Sequence, residues 1–378
     1  MINNFMTKPM VLSIILVLIS TWKVQAEVVI DGSLGGKAQN LSGPIYNIHD
    51  GLGQRQGANV FHSFSQFNIN SGDHAIFSTS APTQNILARV TGGQSSLING
   101  KISSSSPANL WLMNPAGWVV GQNAQLNMQG AFHLSSAHSI GLSDGGMFFA
   151  DPVSNSKLST ATPIDYQFNK GNQATITLEQ ADLIMPENTD ISIVGGDINL
   201  KNSTIHAPGG RVALASNSGQ GQWHFDETGL IQGTGSGGTI DIVHDSRASL
   251  FSPSITNSDI PSENARTSAG TLQITGEQIN LKNATIVTDA WNNKNSGDTT
   301  LQANRIHLDS SFISNTVQGS KNAGNVSIIA SDLIMANGSK IGADTRFSST
   351  GHGGNISLNL KGRLLMNDLS LISTNSLG

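Results

Sequence analysis

The sequence contains no cysteine and few charged or aromatic residues. The absence of cysteine excludes disulfide bonds, thiolate catalysis and cysteine-type zinc sites. Charged residues make up only 12% of the chain, which argues against a charge-rich disordered tail. The net charge is −5 and no basic run is visible, so nucleic acid is not expected as a partner. The 41 glycines instead indicate a folded chain with many turns.

Residues 1–26 have the pattern of a secretory signal peptide. Lys8 precedes an apolar run from Met10 to Ile19, and small residues lead to Ala26, after which we predict cleavage. The alternative is an N-terminal membrane anchor, but the apolar run is shorter than the roughly 20 residues that a span needs. The mature protein is therefore predicted to leave the cytoplasm. A chain without disulfides can also be threaded through a narrow pore while unfolded.

Short stretches of alternating apolar and polar residues replace helical periodicity along most of the chain. This alternation is typical of strands with one buried face, and turn-forming residues separate the stretches. Examples are Ala174–Leu178, Ile191–Ile193, Ile198–Leu200, Ile240–Ile242 and Leu272–Ile274.

The second half of the chain repeats itself around a marker glycine. By subtraction, Gly270, Gly297, Gly324 and Gly354 are spaced by 27, 27 and 30 residues, and three short strand patterns follow each one. A propeller blade would need four strands and roughly 40 residues or more. The repeat therefore predicts turns of a parallel β-helix, in which each turn stacks on the next.

A β-helix has two open ends that expose sheet edges, so it needs caps. The stretch "EVVIDGSLGG", which begins at Glu27, is expected to start an N-terminal cap. The final stretch, "LSLISTNSLG", stops where another repeat would begin. We therefore expect either a truncated form of a longer solenoid or a partner that covers this end.

Three stretches in the first half resemble a known family: Val60–Ser78 ("VFHSFSQFNINSGDHAIFS"), Gln84–Ile102 ("QNILARVTGGQSSLINGKI") and Ala108–Phe132 ("ANLWLMNPAGWVVGQNAQLNMQGAF"). In this order they resemble the secretion domain at the N-terminus of filamentous haemagglutinin-like exoproteins of two-partner secretion systems. The resemblance covers roughly residues 27–160.

The resemblance implies an all-β, right-handed parallel β-helix with an N-terminal cap. Residues 27–160 would form the secretion domain and residues 161–378 a β-helical shaft. An outer-membrane β-barrel transporter would recognise the secretion domain after the chain has reached the periplasm of a Gram-negative type of bacterium. The exported protein would be secreted or displayed on the cell surface, and it would need no cofactor and catalyse no reaction.

Several roles outside the cell are compatible with this resemblance. The first is an adhesin or haemagglutinin that binds a host-cell or carbohydrate receptor. The alternatives are the stalk of a haemolysin or of a contact-dependent toxin whose effector lies beyond this sequence, and a purely structural component of a surface layer.

The family motif Asn-Pro-Asn-Gly corresponds here to Asn114, Pro115, Ala116 and Gly117. Asn at the first position, Pro at the second and Gly at the fourth favour a type I turn. The resemblance adds a role in transporter recognition as an alternative for Asn114, Pro115 and Gly117, and for Asn85, which lies in the region of a second family motif, Asn-Pro-Asn-Leu, that has no copy here. Ala116 departs from the family pattern. A scaffold role and a recognition role both remain open.

Other patterns have simpler interpretations. The spacing of Phe61, Phe64 and Phe67 favours packing in the cap over a partner-binding patch. Residues 233–238 match G-x-G-x-x-G, but the strand pattern that follows them argues against a nucleotide site. His133 and His138 are five residues apart, which places them on opposite faces of a strand and argues against a metal site.

A carbohydrate-active enzyme is a further alternative, because parallel β-helices also serve as polysaccharide lyases and hydrolases. Such a site needs several acidic or basic side chains that converge on one exterior groove. The candidates are Asp241, His244, Asp245 and Arg247, which are clustered locally in the sequence rather than spread over successive turns. This clustering makes the enzyme the weaker hypothesis.

Overall fold

A computed structural model describes residues 27–169, 171, 173–225, 231–233, 237–244, 255–256, 269–291 and 294–376. Strands are numbered along the chain, and one short 3-10 turn spans Asp50–Leu52. No helix within these ranges is long and apolar enough to cross a membrane. The predicted signal peptide and its cleavage site at Ala26 lie outside the described residues.

The largest sheet, here called the long sheet, has 13 strands. Ten of them run parallel, so each strand pairs with the equivalent strand one turn later along the axis. The strands are β1 (Glu27–Ile30), β2 (Gln39–Asn40), β4 (Gln54–Gln56), β5 (Asn59–Asn68), β7 (Asn85–Val90), β10 (Asn109–Met113), β13 (Phe132–Ser135), β19 (Ile191–Gly195), β22 (Val212–Ser216), β27 (Leu272–Thr275), β30 (Thr299–Gln302), β33 (Val326–Ala330) and β36 (Ile356–Leu360).

The second sheet is parallel and has nine strands. They are β8 (Ser96–Ile98), β11 (Trp118–Val120), β17 (Ile176–Glu179), β20 (Ile198–Lys201), β25 (Thr239–Val243), β28 (Gln278–Lys282), β31 (Arg305–Asp309), β34 (Asp332–Ala336) and β37 (Leu364–Met366).

Two parallel sheets of four and seven strands follow one another on the third face. The first contains β3 (Ile45–His49), β6 (His74–Ser78), β9 (Lys101–Ser104) and β12 (Gln125–Asn127). The other contains β18 (Asp182–Ile184), β21 (Thr204–His206), β26 (Ile255–Thr256), β29 (Thr285–Val287), β32 (Phe312–Ser314), β35 (Lys340–Gly342) and β38 (Leu371–Ser373). The chain passes from the long sheet to the second sheet and then to the third face in most turns, so the architecture is the predicted parallel β-helix.

A fifth sheet, here called the covering sheet, is antiparallel and lies outside this helix. It contains β14 (Ser139–Leu142), β15 (Met147–Phe149), β16 (Pro163–Phe168), β23 (Gly221–Phe225) and β24 (Ile231–Gly233). Its members pair through hairpin-like and long-range contacts, with β16 next to β23. The sequence repeats gave no sign of this sheet, because none of its strands belongs to the repeating pattern.

Apolar side chains fill the tube in columns that follow the axis. One column on the long sheet runs through Ile86, Leu110, Phe132, Ile191, Val212 and Leu272. Each of these side chains is at most 1% exposed. Burial of one such side chain contributes about 2 kcal/mol of transfer free energy, so every added turn stabilises the stack.

The predicted N-terminal cap is formed by β1, which pairs antiparallel with both β2 and β5. Val28 and Ile30 point into the tube and are buried. The antiparallel strand therefore covers apolar interior that the first parallel turn would otherwise expose.

The marker glycines of the repeat form a ladder at the start of the long-sheet strands. A Cβ atom on Gly297 would collide with the carbonyl oxygen of Gly270, and one on Gly324 would collide with that of Gly297. The same relation joins Gly354 to Gly324. The repeat needs glycine here because successive turns approach closely, and any side chain would push them apart.

A second corner, between the second sheet and the third face, holds one residue in the left-handed region in six of the turns from β17 onwards. The φ angles at these positions lie between 48° and 54°, a region that Asn and Asp tolerate better than most residues. The residues are Gln180, Asn202, Asn283, Ser310, Asn337 and Asp368. Polar corner residues thus recur for a conformational reason.

Candidate functional site

The first six parallel strands of the long sheet are buried on both faces. Inward residues fill the tube, while outward residues pack against the covering sheet in a second apolar cluster. One outward column runs in register through Phe61, Leu87, Trp111 and His133. The resembling stretches therefore lie in a region with two cores, and strand β7 is buried at all six positions.

The turn at Asn114 is closed by a hydrogen bond from the Gly117 amide to the Asn114 carbonyl oxygen at 2.9 Å. The Ala116 amide also donates to Asn114 Oδ1 at 2.9 Å. A type I turn requires a negative φ at its third residue, and Ala116 is not among the residues with a positive φ. Gly117, which follows it, has a φ of +92°. A Cβ atom on Gly117 would also lie only 2.5 Å from the Thr175 carbonyl oxygen. The turn has the predicted geometry, and Ala116 suits it.

The Asn114 side chain has no contact with solvent. Its Nδ2 donates to the Gln94 carbonyl oxygen at 2.9 Å and to Ser96 Oγ at 3.0 Å. The Ala116 amide is the third hydrogen-bond partner of this side chain, and all three partners belong to the fold itself. Asn114 therefore ties its turn to the preceding turn of the helix, and its amide is hidden in the folded state. Pro115 is half-buried beside it.

Asn85 belongs to a short asparagine ladder at the start of the long-sheet strands. Its Nδ2 donates to Asn59 Oδ1 at 3.0 Å, and its Oδ1 accepts from Asn109 Nδ2 and from Trp111 Nε1, each at 3.3 Å. Asn59, Asn85 and Asn109 are directly paired across the sheet. The structure thus gives Asn85 a role within the fold, but it does not bring Asn85 into the Asn114 turn.

The three phenylalanines of the predicted cap are all buried, as expected. Phe64 and Phe67 point into the tube with ring centroids 5.1 Å apart. Phe61 points the other way and meets Phe148 of the covering sheet edge-on at 5.1 Å. The prediction of core packing is confirmed, although the three rings serve two different cores.

A buried arginine joins the cap, the long sheet and the covering sheet, and sequence analysis did not identify it. Arg89 is 2% exposed. Its Nε donates to Ser63 Oγ at 2.7 Å, its Nη2 to Ser33 Oγ at 2.9 Å, and its Nη1 to the carbonyl oxygen of Phe149. Arg89 shares the outward face of β7 with Leu87, and only the covering sheet makes that face buried.

Asp31 lies at the centre of the same network and balances the charge of Arg89. Burial raises the pKa of Asp31, but hydrogen bonds from Ser33, Ser63 and Thr91 outweigh it and lower that pKa overall. The buried arginine and the carboxylate thus share the hydroxyl groups of Ser33, next to the cap strand, and of Ser63 on β5, which fixes the cap on the helix.

His133 and His138 have separate surroundings. His133 Nδ1 is 2.7 Å from Ser192 Oγ, and its ring stacks on Trp111. Burial lowers the pKa of His133 to about 4, so the ring is neutral near pH 7. His138 accepts from the Asn169 amide through Nδ1. Among the described residues, no group of three or more His, Asp or Glu side chains could hold a metal ion.

The remaining sequence candidates are only partly described. Asp241 points outward from β25 and accepts from Asn280 Nδ2 at 2.8 Å, while His244 is buried. Asp245 and Arg247 lie outside the described residues. Residues 234–236 of the glycine-rich stretch also lie outside them, but the strand predicted after it is present as β25.

Known proteins share this architecture. The family model of the TPS secretion domain matches residues 26–274. The crystal structure of the HMW1 secretion domain from Haemophilus influenzae is similar at 14% identity and a TM-score of 0.54, with 93% of this chain and 97% of that chain covered.

The filamentous haemagglutinin secretion domain is similar at 16% identity and a TM-score of 0.41, with 94% and 98% covered. No curated protein sequence matches the chain. At 14% identity the HMW1 structure supports the fold alone, whereas the family model matches well over half of the sequence. The chain belongs to the TPS secretion domain family, the secretion domains of two-partner secretion exoproteins.

Proposed function

We propose that an outer-membrane β-barrel transporter recognises this protein and exports it, and that the protein then acts as an adhesin or haemagglutinin on the cell surface or in the medium. Membership of the TPS family supports the export route. The predicted signal peptide would bring the chain to the periplasm of a Gram-negative type of bacterium, where the transporter can meet it.

The observation that carries the recognition proposal is the burial of Asn114. Once the fold has formed, its side chain is hydrogen-bonded to Gln94, Ser96 and Ala116. A transporter can therefore contact this side chain only before the turn is buried. We propose that the transporter recognises Asn85, Asn114, Pro115 and Gly117 in the unfolded chain. After export, Asn85 joins the asparagine ladder and the other three form the turn.

Folding outside the cell then gives export its direction. Each added turn buries apolar side chains against the turn before it, so the exported part of the chain loses free energy as it folds. The Arg89 network would contribute early, because its partners Ser33, Ser63 and Phe149 all lie before residue 150.

We also propose that the unit needed for export extends beyond residue 160, the boundary suggested by the resembling stretches. The covering sheet contains β16, β23 and β24, and the Asp165 to Phe168 segment pairs with Gly221 to His224. A chain cut at residue 160 would lack these strands and would leave much of the second apolar cluster exposed.

Co-expression with the transporter tests the export proposal. The measurement is the fraction of the protein found outside the cell with and without the transporter, and a neighbouring gene for such a barrel identifies the partner to use. Export that requires the transporter supports the proposal. Equal secretion without it, or failure of the secretion pathway to act on the intact signal peptide, contradicts it.

Cell binding tests the adhesin proposal separately. Purified protein should bind to host cells or agglutinate erythrocytes in a saturable manner. Lysis of the cells would instead favour a haemolysin, and growth inhibition of neighbouring bacteria by the full-length gene product would favour a toxin stalk. Ordered surface assembly without binding would favour a structural layer.

A further inference from the structure

A cleft of about 580 Å³ is lined both by the covering sheet and by the outward face of the long sheet. It opens where β10, β13, β19 and β22 begin, beside Asp190 and Arg211. Trp111 and His133 lie on its floor, and Phe225 at the end of β23 forms a wall. This volume suits a small ligand, and the mixture of aromatic and polar lining is typical of a binding pocket.

The floor and the wall of the cleft are aromatic. The rings of Trp111 and His133 are stacked with their centroids 3.8 Å apart. Phe225 meets Trp111 edge-on at 5.4 Å and His133 at 5.6 Å. Phe225 is only half-buried, so it presents apolar surface to the opening. The neutral His133 ring adds no charge to the floor of the cleft near pH 7.

The rim holds one acid and one base that fix each other. Asp190 Oδ2 accepts from Arg211 Nε at 3.0 Å and from Nη2 at 2.6 Å, and Asp190 Oδ1 accepts from the Arg211 amide at 2.9 Å. Both side chains are about one-third exposed, at 30% and 34%. The pair therefore offers an ordered donor and an ordered acceptor to the opening without a net charge.

We propose that this cleft binds a neutral saccharide, with one apolar face of a sugar ring against Phe225 and its hydroxyl groups bonded to Asp190 and Arg211. A sugar ring has an apolar face of C–H groups and a rim of hydroxyls that both donate and accept, which matches this division of the cleft. The proposal deepens the adhesin role proposed above by giving its receptor a chemistry.

Other ligand classes fit the cleft less well. A nucleotide or another phosphorylated ligand would need an unpaired cation, whereas Arg211 is already paired with Asp190. A fatty acyl chain would need a continuous apolar channel, and here Asn109, Ser192 and Thr162 interrupt the apolar lining.

The test uses the purified mature full-length protein and isothermal titration with lactose, cellobiose and maltose. We expect at least one of these neutral disaccharides to bind with a Kd on the order of 1 mM. Phe225→Ala and Arg211→Gln should each weaken that binding by about tenfold, which is a loss of about 1.4 kcal/mol. The matched controls are Phe347→Ala and Arg363→Gln, which change an exposed Phe and an ion-paired Arg far along the chain.

The controls should bind the disaccharide as the unaltered protein does, and circular dichroism should show that all four variants fold. The inference is overturned if none of the three disaccharides binds saturably, if Phe225→Ala and Arg211→Gln bind normally, or if adenosine monophosphate or octanoate binds more tightly than the sugars. Sugar binding without cell adhesion would defeat the adhesin proposal alone. Cell adhesion that persists without sugar binding would defeat the cleft inference alone.

Discussion

The outward face of the long sheet is covered and mostly apolar along the first part of the helix axis, and uncovered and polar along the last part. The outward column starts with Phe61, Leu87, Trp111 and His133, beneath the covering sheet. After Ser192 and Ala213 it continues as Gln273, Thr300, Ser327 and Ser357. The inward columns stay apolar through most of both regions. The two regions therefore share one helix but differ in whether a second core covers it.

The difference separates the parts of the molecule by the interactions that stabilise them. The covered region, residues 27–233, depends on two apolar clusters and on the Arg89 network. The bare shaft, residues 269–376, depends on the tube interior, a small separate cluster of Ala269, Ala290, Val317 and Ala323, the glycine ladder and polar corners. The family match ends at residue 274, within β27, where the outward column becomes polar.

The largest expected difference in unfolding free energy is between substitutions at two equivalent positions of that column, Trp111 and Thr300. Trp111→Ala should lower the free energy of unfolding by about 4 kcal/mol, because it removes a large ring from the second core. Thr300→Ala should change it by less than about 0.5 kcal/mol, since the outward face of the shaft is uncovered. Urea unfolding of the two variants measures both values. Equal losses would show that the covering sheet adds no core.

Removal of the buried arginine should have the next largest effect. Arg89→Met leaves hydroxyl groups of the cap without their charged partner and should cost about 3 kcal/mol. Arg363→Gln in the shaft breaks an exposed ion pair with Asp332 and should cost less than about 1 kcal/mol. The same urea titration compares them. If Arg89→Met costs as little stability as Arg363→Gln, the Arg89 network does not stabilise the covered region.

Acid should weaken the covered region through its buried histidines. The pKa of His133 is lowered to about 4 by burial, whereas the unfolded chain takes up the proton near pH 6.5. Stability is therefore complete above the unfolded pKa and is lost as the pH falls towards the folded pKa. At about pH 5 the loss should be about 2 kcal/mol relative to pH 7.5.

The check is the pH dependence of the unfolding free energy in His133→Gln. This variant should lose less stability on acidification than the unaltered protein, whatever its stability at neutral pH. His62 is buried in the same region and its pKa is also lowered to about 4 by burial, so a second variant, His62→Gln, should flatten the profile further. Unchanged profiles in both variants would mean that these rings take up the proton at the same pH in the fold as in the unfolded chain.

The smallest effect concerns the glycine ladder of the shaft. Gly297→Ala forces a methyl group against the carbonyl oxygen of Gly270 and should cost about 1.5 kcal/mol. Gly36→Ala in the cap is the matched control, because no heavy atom lies within 4 Å of an added Cβ there. The control should stay within about 0.5 kcal/mol of the unaltered protein. Similar midpoints of thermal unfolding for the two variants would argue against close stacking of the turns.

The repeated parts of the fold were predictable because each turn meets the same steric conditions. The spacing from Gly270 to Gly354 and the alternating strands were sufficient to predict a parallel β-helix, and the turn at Asn114 followed from ordinary turn preferences. The covering sheet was not predictable, since β14, β16 and β23 pair across long stretches of sequence without a repeat. The roles of Arg89 and Phe225 depend on that sheet, so they could not be inferred either.

The most direct test of the secretion account compares two buried asparagines. Asn114 in the covered region and Asn315 in the shaft are both fully buried and each makes three side-chain hydrogen bonds within the fold. Both Asn→Ala variants are co-expressed with the transporter, and the secreted fraction is measured together with the stability of the purified proteins. At comparable losses of stability, Asn114→Ala should abolish most secretion while Asn315→Ala retains it. Equal secretion of the two variants would contradict recognition of Asn114 by the transporter.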